Sequence, residues 1–137
     1  MWIKAMKEFM ETCPEFLGRS MNINYLGHKE GDLSIDPMGE SRVVRKYCDG
    51  KRVMEEDFCI SRRCGFDENT SLNLKDAEFM EKVALWIDAK NSTGTMPVLD
   101  AGYVGVLIDI KKMPHLYESS IQGARMQMVL TFTYKEI

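Results

Sequence analysis

Apolar residues recur along this chain with two periods. Over residues 2–13, Ile3, Met6, Met10 and Cys13 fall at i, i+3, i+7 and i+10, with Lys4, Lys7, Glu8 and Glu11 between them. That spacing predicts an amphipathic helix, and Pro14 biases the residue before it out of helical geometry. A second stripe, Met80, Val83, Ala84 and Ile87, widened by Phe79 and Trp86, predicts a helix through DAEFMEKVALWIDAK. Asn73 reads as its N-cap with Asp76 at N3, and Gly94 and Pro97 end it.

Elsewhere the period is two. MNINYLG at 21–27 alternates Met21, Ile23 and Tyr25 with Asn22 and Asn24, and predicts a strand. DLSID at 32–36 predicts a short strand stopped by Pro37, and SRVVRKYC at 41–48 predicts a third. Asp49-Gly50 is a hairpin signal. The return limb, about 52–63, puts Met54, Glu56, Phe58 and Ile60 on one side and Glu55, Asp57, Cys59 and Ser61 on the other. A strand at about 103–112 is expected to break at Pro114. In the last stretch, IQGARMQMVLTFTYKEI, one register is Ala124, Met126, Met128, Leu130, Phe132, Tyr134 and the other is Arg125, Gln127, Val129, Thr131, Thr133. The first is expected to face the helices as core. The order helix, strands, helix, two strands predicts one α+β domain over 1–137, a mainly antiparallel sheet with both helices on one face.

Composition narrows the function. A chain of 137 residues buries roughly 70% of its unfolded surface, so it needs no staple. A formal charge of −3 argues against specific nucleic-acid binding, which needs a concentrated basic face; RVVRK at 42–46 and Arg62-Arg63 read as solvated strand positions. No apolar run reaches the ~18 residues of a membrane helix, and acids enter the N-terminal segment at Glu8, so neither a membrane partner nor a signal peptide is expected. Folding in a reducing cytoplasm is the expectation. Cys13, Cys48, Cys59 and Cys64 lack the paired spacing of zinc knuckles, leaving no metal or other cofactor implied. Cys48 and Cys59 are placed to meet across the hairpin, though a reduced, buried pair fits the compartment better. The eleven methionines suit irregular core gaps and adaptable contacts.

Catalytic signatures are missing: there is no GxSxG, HExxH, P-loop or GxGxxG. Glu55, Glu56 and Asp57 are adjacent, so strand alternation sends them to opposite faces and they make no acid/base pair unaided. His115, followed by Tyr117, Glu118, Ser119 and Ser120, is the one cluster on which an enzyme reading, a small cytosolic enzyme, would rest. Nothing specifies its base or oxyanion hole, and the expectation is that the protein is not an enzyme.

Several segments occur together in a familiar order. IKAMKEFMETCP, INYLG, LSIDP and KYCDG are followed by FMEKVALWIDAKNSTGTMPVLDAG and LYESSIQGARMQMVLTFTY. Over essentially its full length the chain resembles a family of small phage proteins from Gram-positive hosts, often labelled minor capsid protein, which resemble tail terminators. The resemblance implies a tail-terminator-like fold and a structural protein of a phage or phage-tail-like bacteriocin. Such a protein forms a homohexameric ring that caps the head-proximal end of the tail tube and joins tail to head. Its partners would be copies of itself, the tail tube protein, a neck or head-connector protein and, in a contractile tail, the sheath. It would reside in the virion tail or bacteriocin particle, assembled in the host cytoplasm. Another neck component, a head- or tail-completion protein, is the nearest alternative.

On that reading the axial contacts belong to two loops, RRCGFDENTSL at 62–72 and MPHLYESSIQ at 113–122, with Arg62, Arg63, Phe66, Asp67, His115, Tyr117 and Glu118 as contact residues. Arg125 and Gln127, with Thr131 and Thr133, would face a neighbouring subunit or the ring lumen.

Overall fold

The computed structural model describes residues 2–16, 18–27, 29, 31–64, 70–120 and 123–137, with side chains except those of 40, 70–74, 116–120 and 123–124. Helix α1 spans Trp2–Glu11, followed by strands β1 (Asn22–Ile23), β2 (Leu33–Lys46) and β3 (Arg52–Cys64), helix α2 (Thr70–Thr93), and strands β4 (Tyr103–Ser120) and β5 (Gly123–Glu136). The strands form one sheet in the order β1-β2-β3-β5-β4. All neighbours are antiparallel except the short β1–β2 pair. This is the α+β architecture expected from the sequence.

One sheet face carries the core. Ile35, Phe58, Ile60, Ile108, Met128, Leu130 and Phe132 are wholly buried there, joined by Met6 and Met10 of α1 and Met80, Val83 and Ile87 of α2. Trp2 brings α1 onto the sheet, its ring centroid 5.7 Å from that of Phe58 and 6.4 Å from that of Phe132. Phe9 meets Trp86 at 5.2 Å, tying the helices to each other. Both stripes read from the sequence are therefore the buried ones. The Met126–Tyr134 register of β5 also faces the helices, as expected.

The β2–β3 hairpin turns where Asp49-Gly50 predicts. The Tyr47 amide donates to the Lys51 carbonyl at 2.8 Å, and Gly50 takes a φ of 90° that a side chain would resist.

Four local expectations fail, each for a physical reason. Pro37 does not stop β2; it pairs opposite Phe58, and the ladder absorbs it in a register shift between Pro37 and Ser41. Beyond Ile35 that strand is the sheet's edge, where proline's missing N–H costs no ladder bond. Pro114 likewise lies inside β4, the opposite edge, within a shift between Lys112 and His115. The stretch at 113–122 is thus β-hairpin arm up to Ser120 rather than loop. Only two residues of the 21–27 segment are strand, pairing parallel with β2; Met21 is buried, whereas Ile23 and Tyr25 are exposed. Helix α2 begins at Thr70, so Asn73 lies inside it rather than capping it, and Asp76 accepts a hydrogen bond from Arg62 Nε at 3.2 Å. The loop expected at 62–72 is thus strand β3 at 62–64 and helix at 70–72, with 65–69 outside the described residues.

All four cysteines are free thiols. Cys48 is exposed in the hairpin turn while Cys59 is buried on β3, so they do not form the buried pair expected. Burial raises the Cys13 and Cys59 thiols, and pushes Cys64 up to about 12 with help from Asp76. A thiol reagent at pH 8 is accordingly expected to label Cys48 alone in the native protein and all four in denaturant. Rapid native labelling of more than one thiol would contradict this packing.

Candidate assembly face

Among the described residues, no element packs on the second face of the sheet. Its composition follows from register. Reading across the strands β4-β5-β3-β2, one row is Val104, Lys135, Val53, Arg45 and the next is Leu107, Thr133, Glu55, Arg42. Below lie Asp109, Thr131 and Asp57, then Lys112, Val129, Cys59 and Asp36, then His115, Gln127, Ser61 and Ser34. This face is polar in its middle and far rows and mixed at the hairpin end, where Val44, Tyr47, Val53 and Val106 line a hollow of about 420 Å³ together with Arg45 and Lys135.

The polar rows are internally bonded. Arg42 donates to Asp57 through both terminal nitrogens, at 2.7 and 3.0 Å, and to Glu55 at 3.3 Å. The Thr131 hydroxyl donates to Asp57 at 2.6 Å. Further along, Arg125 donates to Ser61 Oγ at 3.0 Å and to Asp36 at 3.3 Å, while the Ser34 hydroxyl holds the other Asp36 oxygen at 2.6 Å. Ser34, Ser61 and Thr131 are buried beneath these long side chains although no helix covers them. A side chain held at several points loses less freedom on meeting a partner, which lowers the ordering cost of an interface.

This lattice has a signature in pH. Hydrogen bonding from Arg42 holds the Asp57 carboxyl below the usual range, with Thr131 adding to the effect. Its contribution to stability is complete above the unfolded value of about 3.9 and is lost as pH falls through the lower folded value. Asp57→Asn should therefore flatten the acid limb of stability below about pH 4, leaving the slope above about pH 5 unchanged. Urea midpoints measured against pH will show it; an unaltered acid limb would mean that Arg42 does not stabilise the carboxylate.

The residues proposed from sequence divide among several places. Arg125 and Gln127 lie on this face, and so does Arg63, whose Nε donates to the Gly27 carbonyl at 3.1 Å and fastens the preceding turn to β3. Arg62 points the other way. Its guanidinium lies 3.8 Å from the Phe79 ring centroid and it pairs with Asp76, both on α2, so it closes one end of the core. Tyr117 and Glu118 belong to β4, with Glu118 opposite Arg125 in register; their side chains are outside the described residues. Phe66 and Asp67 lie outside the described residues altogether. His115 sits opposite Gln127, with Nδ1 2.9 Å from the Met113 carbonyl.

The chain matches no family model and no curated protein.

The face therefore has to be read from its own chemistry. The acidic trio separates as strand alternation requires: Glu55 and Asp57 serve Arg42 on this face, while Glu56 is buried on the helix side and accepts from the Ser41 hydroxyl. Sequence reasoning missed Arg42 and Asp36. Arg42 was hidden because its partners Asp57 and Thr131 lie on strands whose order no local pattern gives, and Asp36 because DLSID was taken to end at the proline. Among the described residues there is no group of three or more potential metal ligands. This arrangement holds side-chain shape and charge in place across three strands.

Proposed function

We propose that the protein is a structural subunit of a phage tail or phage-tail-like bacteriocin, assembling as a ring that caps the head-proximal end of the tail tube. The observation that carries this reading is the uncovered sheet face, whose hydrogen-bonded polar rows and mixed apolar and basic end suit contact with other protein. The resemblance in segment order to tail terminators supplies the particular assembly. A cap acts by occupying the open end of the last tube ring, so that no further tube subunit adds, and by offering a different surface to the neck or head connector. A ring needs head-to-tail contacts that close after a fixed number of copies, six for a sixfold tail.

Deleting the gene is expected to give overlong tails or polytubes, restored to uniform length by the protein supplied in trans. Normal free tails beside unjoined heads would instead identify a head-completion protein. Native mass measurement is expected to give a hexamer.

A further inference from the structure

The sheet has two free edges, and each is blunted over only part of its length. On β2, the β1 pairing covers Ser34 and Ile35, and the Pro37–Ser41 irregularity with Gly39 at φ 82° distorts the next residues. What remains is 42–46, with Val43 and Val44 both at least 50% exposed. On β4, Pro114 and the shift between Lys112 and His115 spoil the far end, leaving 103–111 with Val104, Val106 and Leu107 exposed. Natural sheets protect long apolar edges from pairing with bulges, proline and charge. Here proline stands only at one end. At the other, Arg42, Arg45 and Lys46 and the bulges at Val44 and Val106 defend the edges in part, while Val43 and Val44 on one edge and Val104, Val106 and Leu107 on the other stay exposed.

The two exposed apolar stretches match each other. Register places Val104 in the row of Arg45 and Leu107 in the row of Arg42, so they lie at the same level of the sheet. Single-residue shifts at Val44 on one edge and Val106 on the other lie within about one residue of the same level, and 103–111 carries a second at Lys111. Their directions also fit. Three antiparallel steps separate β4 from β2, so the two edges run in opposite senses. A head-to-tail neighbour related by rotation keeps those senses, which sets the β4 edge of one copy antiparallel to the β2 edge of the next.

We infer that the occupant of each edge is a second copy of this chain, with residues 103–111 of one subunit adding as a strand to residues 42–46 of its neighbour. The proposal rests on the ring reading above and specifies its contact. The sheets of successive subunits then join into one continuous wall, and each polar face points to the same side of it.

Disulfide trapping tests this with the full chain. Val44→Cys and Val106→Cys are combined in a Cys48→Ser background, which removes the exposed native thiol. Within one chain these sites are three strand spacings apart, roughly 14 Å, beyond the ~7 Å that a disulfide spans. Oxidation should give a ladder of covalent oligomers ending at the ring, while either cysteine alone gives none. Dimers from Val44→Cys alone or Val106→Cys alone would show like edges pairing, and would overturn the proposal. As a readout free of substitutions, amide exchange at 42–46 and 103–111 should slow by about tenfold or more on ring formation. Rings without such protection and without the ladder would refute the edge contact and leave the cap reading standing. A chain that stays monomeric at every concentration would remove both.

Discussion

Phe132→Ala is expected to cost about 3–5 kcal/mol, a large part of the 5–15 kcal/mol that holds a typical domain together. Phe132 is fully buried at the middle of β5, and its ring is 5.4 Å from Tyr134 and 6.4 Å from Trp2. Removing it empties the place where the N-terminal helix meets the sheet. Rigid strands on both sides, β3 opposite Glu56 and β4 opposite Ile108, leave little room for collapse into the cavity. Urea denaturation should show a much lower midpoint with an unchanged slope. Phe132→Leu, which retains most of the volume, should cost far less. Equal midpoints for the alanine variant and the parent would mean that Trp2 and Phe132 do not share a core.

The second large effect is expected at Gly105, from the opposite cause. A Cβ placed there would lie 2.8 Å from the Met96 Cβ and 3.2 Å from two ring carbons of Phe132. Gly105 does not adopt the left-handed conformation that requires glycine elsewhere in the chain, so crowding alone carries the penalty. Gly105→Val is expected to destabilise by about 1–3 kcal/mol through overpacking. Because the crowding is shared between the Met96 Cβ and the Phe132 ring, combining it with Phe132→Leu should recover at least about 0.5 kcal/mol relative to additivity. Strict additivity in that cycle would place the strain against Met96 and the preceding loop instead.

The sequence was most informative where periodicity and burial express the same constraint. The stripes Ile3-Met6-Met10 and Met80-Val83-Ala84-Ile87, the Asp49-Gly50 turn and the alternation from Met126 to Tyr134 all read directly, because each needs one face dry or one backbone conformation. Proline misled twice. Pro37 and Pro114 were taken as strand ends, yet their effect depends on whether a strand lies at an edge, and strand order is set by pairings up to 82 residues apart. Parity alone would have separated Arg62 from Arg63. Arg62 shares its register with Phe58 and Ile60, so it had to face the helices, while Arg63 faces outward with Ser61. The Arg42–Asp57–Thr131 cluster was not legible, since it joins residues from three strands whose order no local pattern encodes.

One consequence of the strand order concerns how the chain reaches this structure. Strand β5 follows β4 in sequence but lies between β3 and β4, and its partners on β3 are 60 residues away at Cys64–Ala124 and 82 at Val53–Lys135. A ribosome that has delivered β3 and α2 has therefore not delivered the strand on which α1 closes. Until β5 emerges and its hairpin with β4 docks, the inner edge of β3 and the underside of α1 have no native cover. Such sequence-distant pairing folds slowly, on the millisecond-to-second scale, and the waiting intermediate presents apolar strand edges to its surroundings. The order of synthesis thus leaves the inner edge of β3 without its strand until the chain is nearly complete, and makes the docking of β5 the step that closes the sheet.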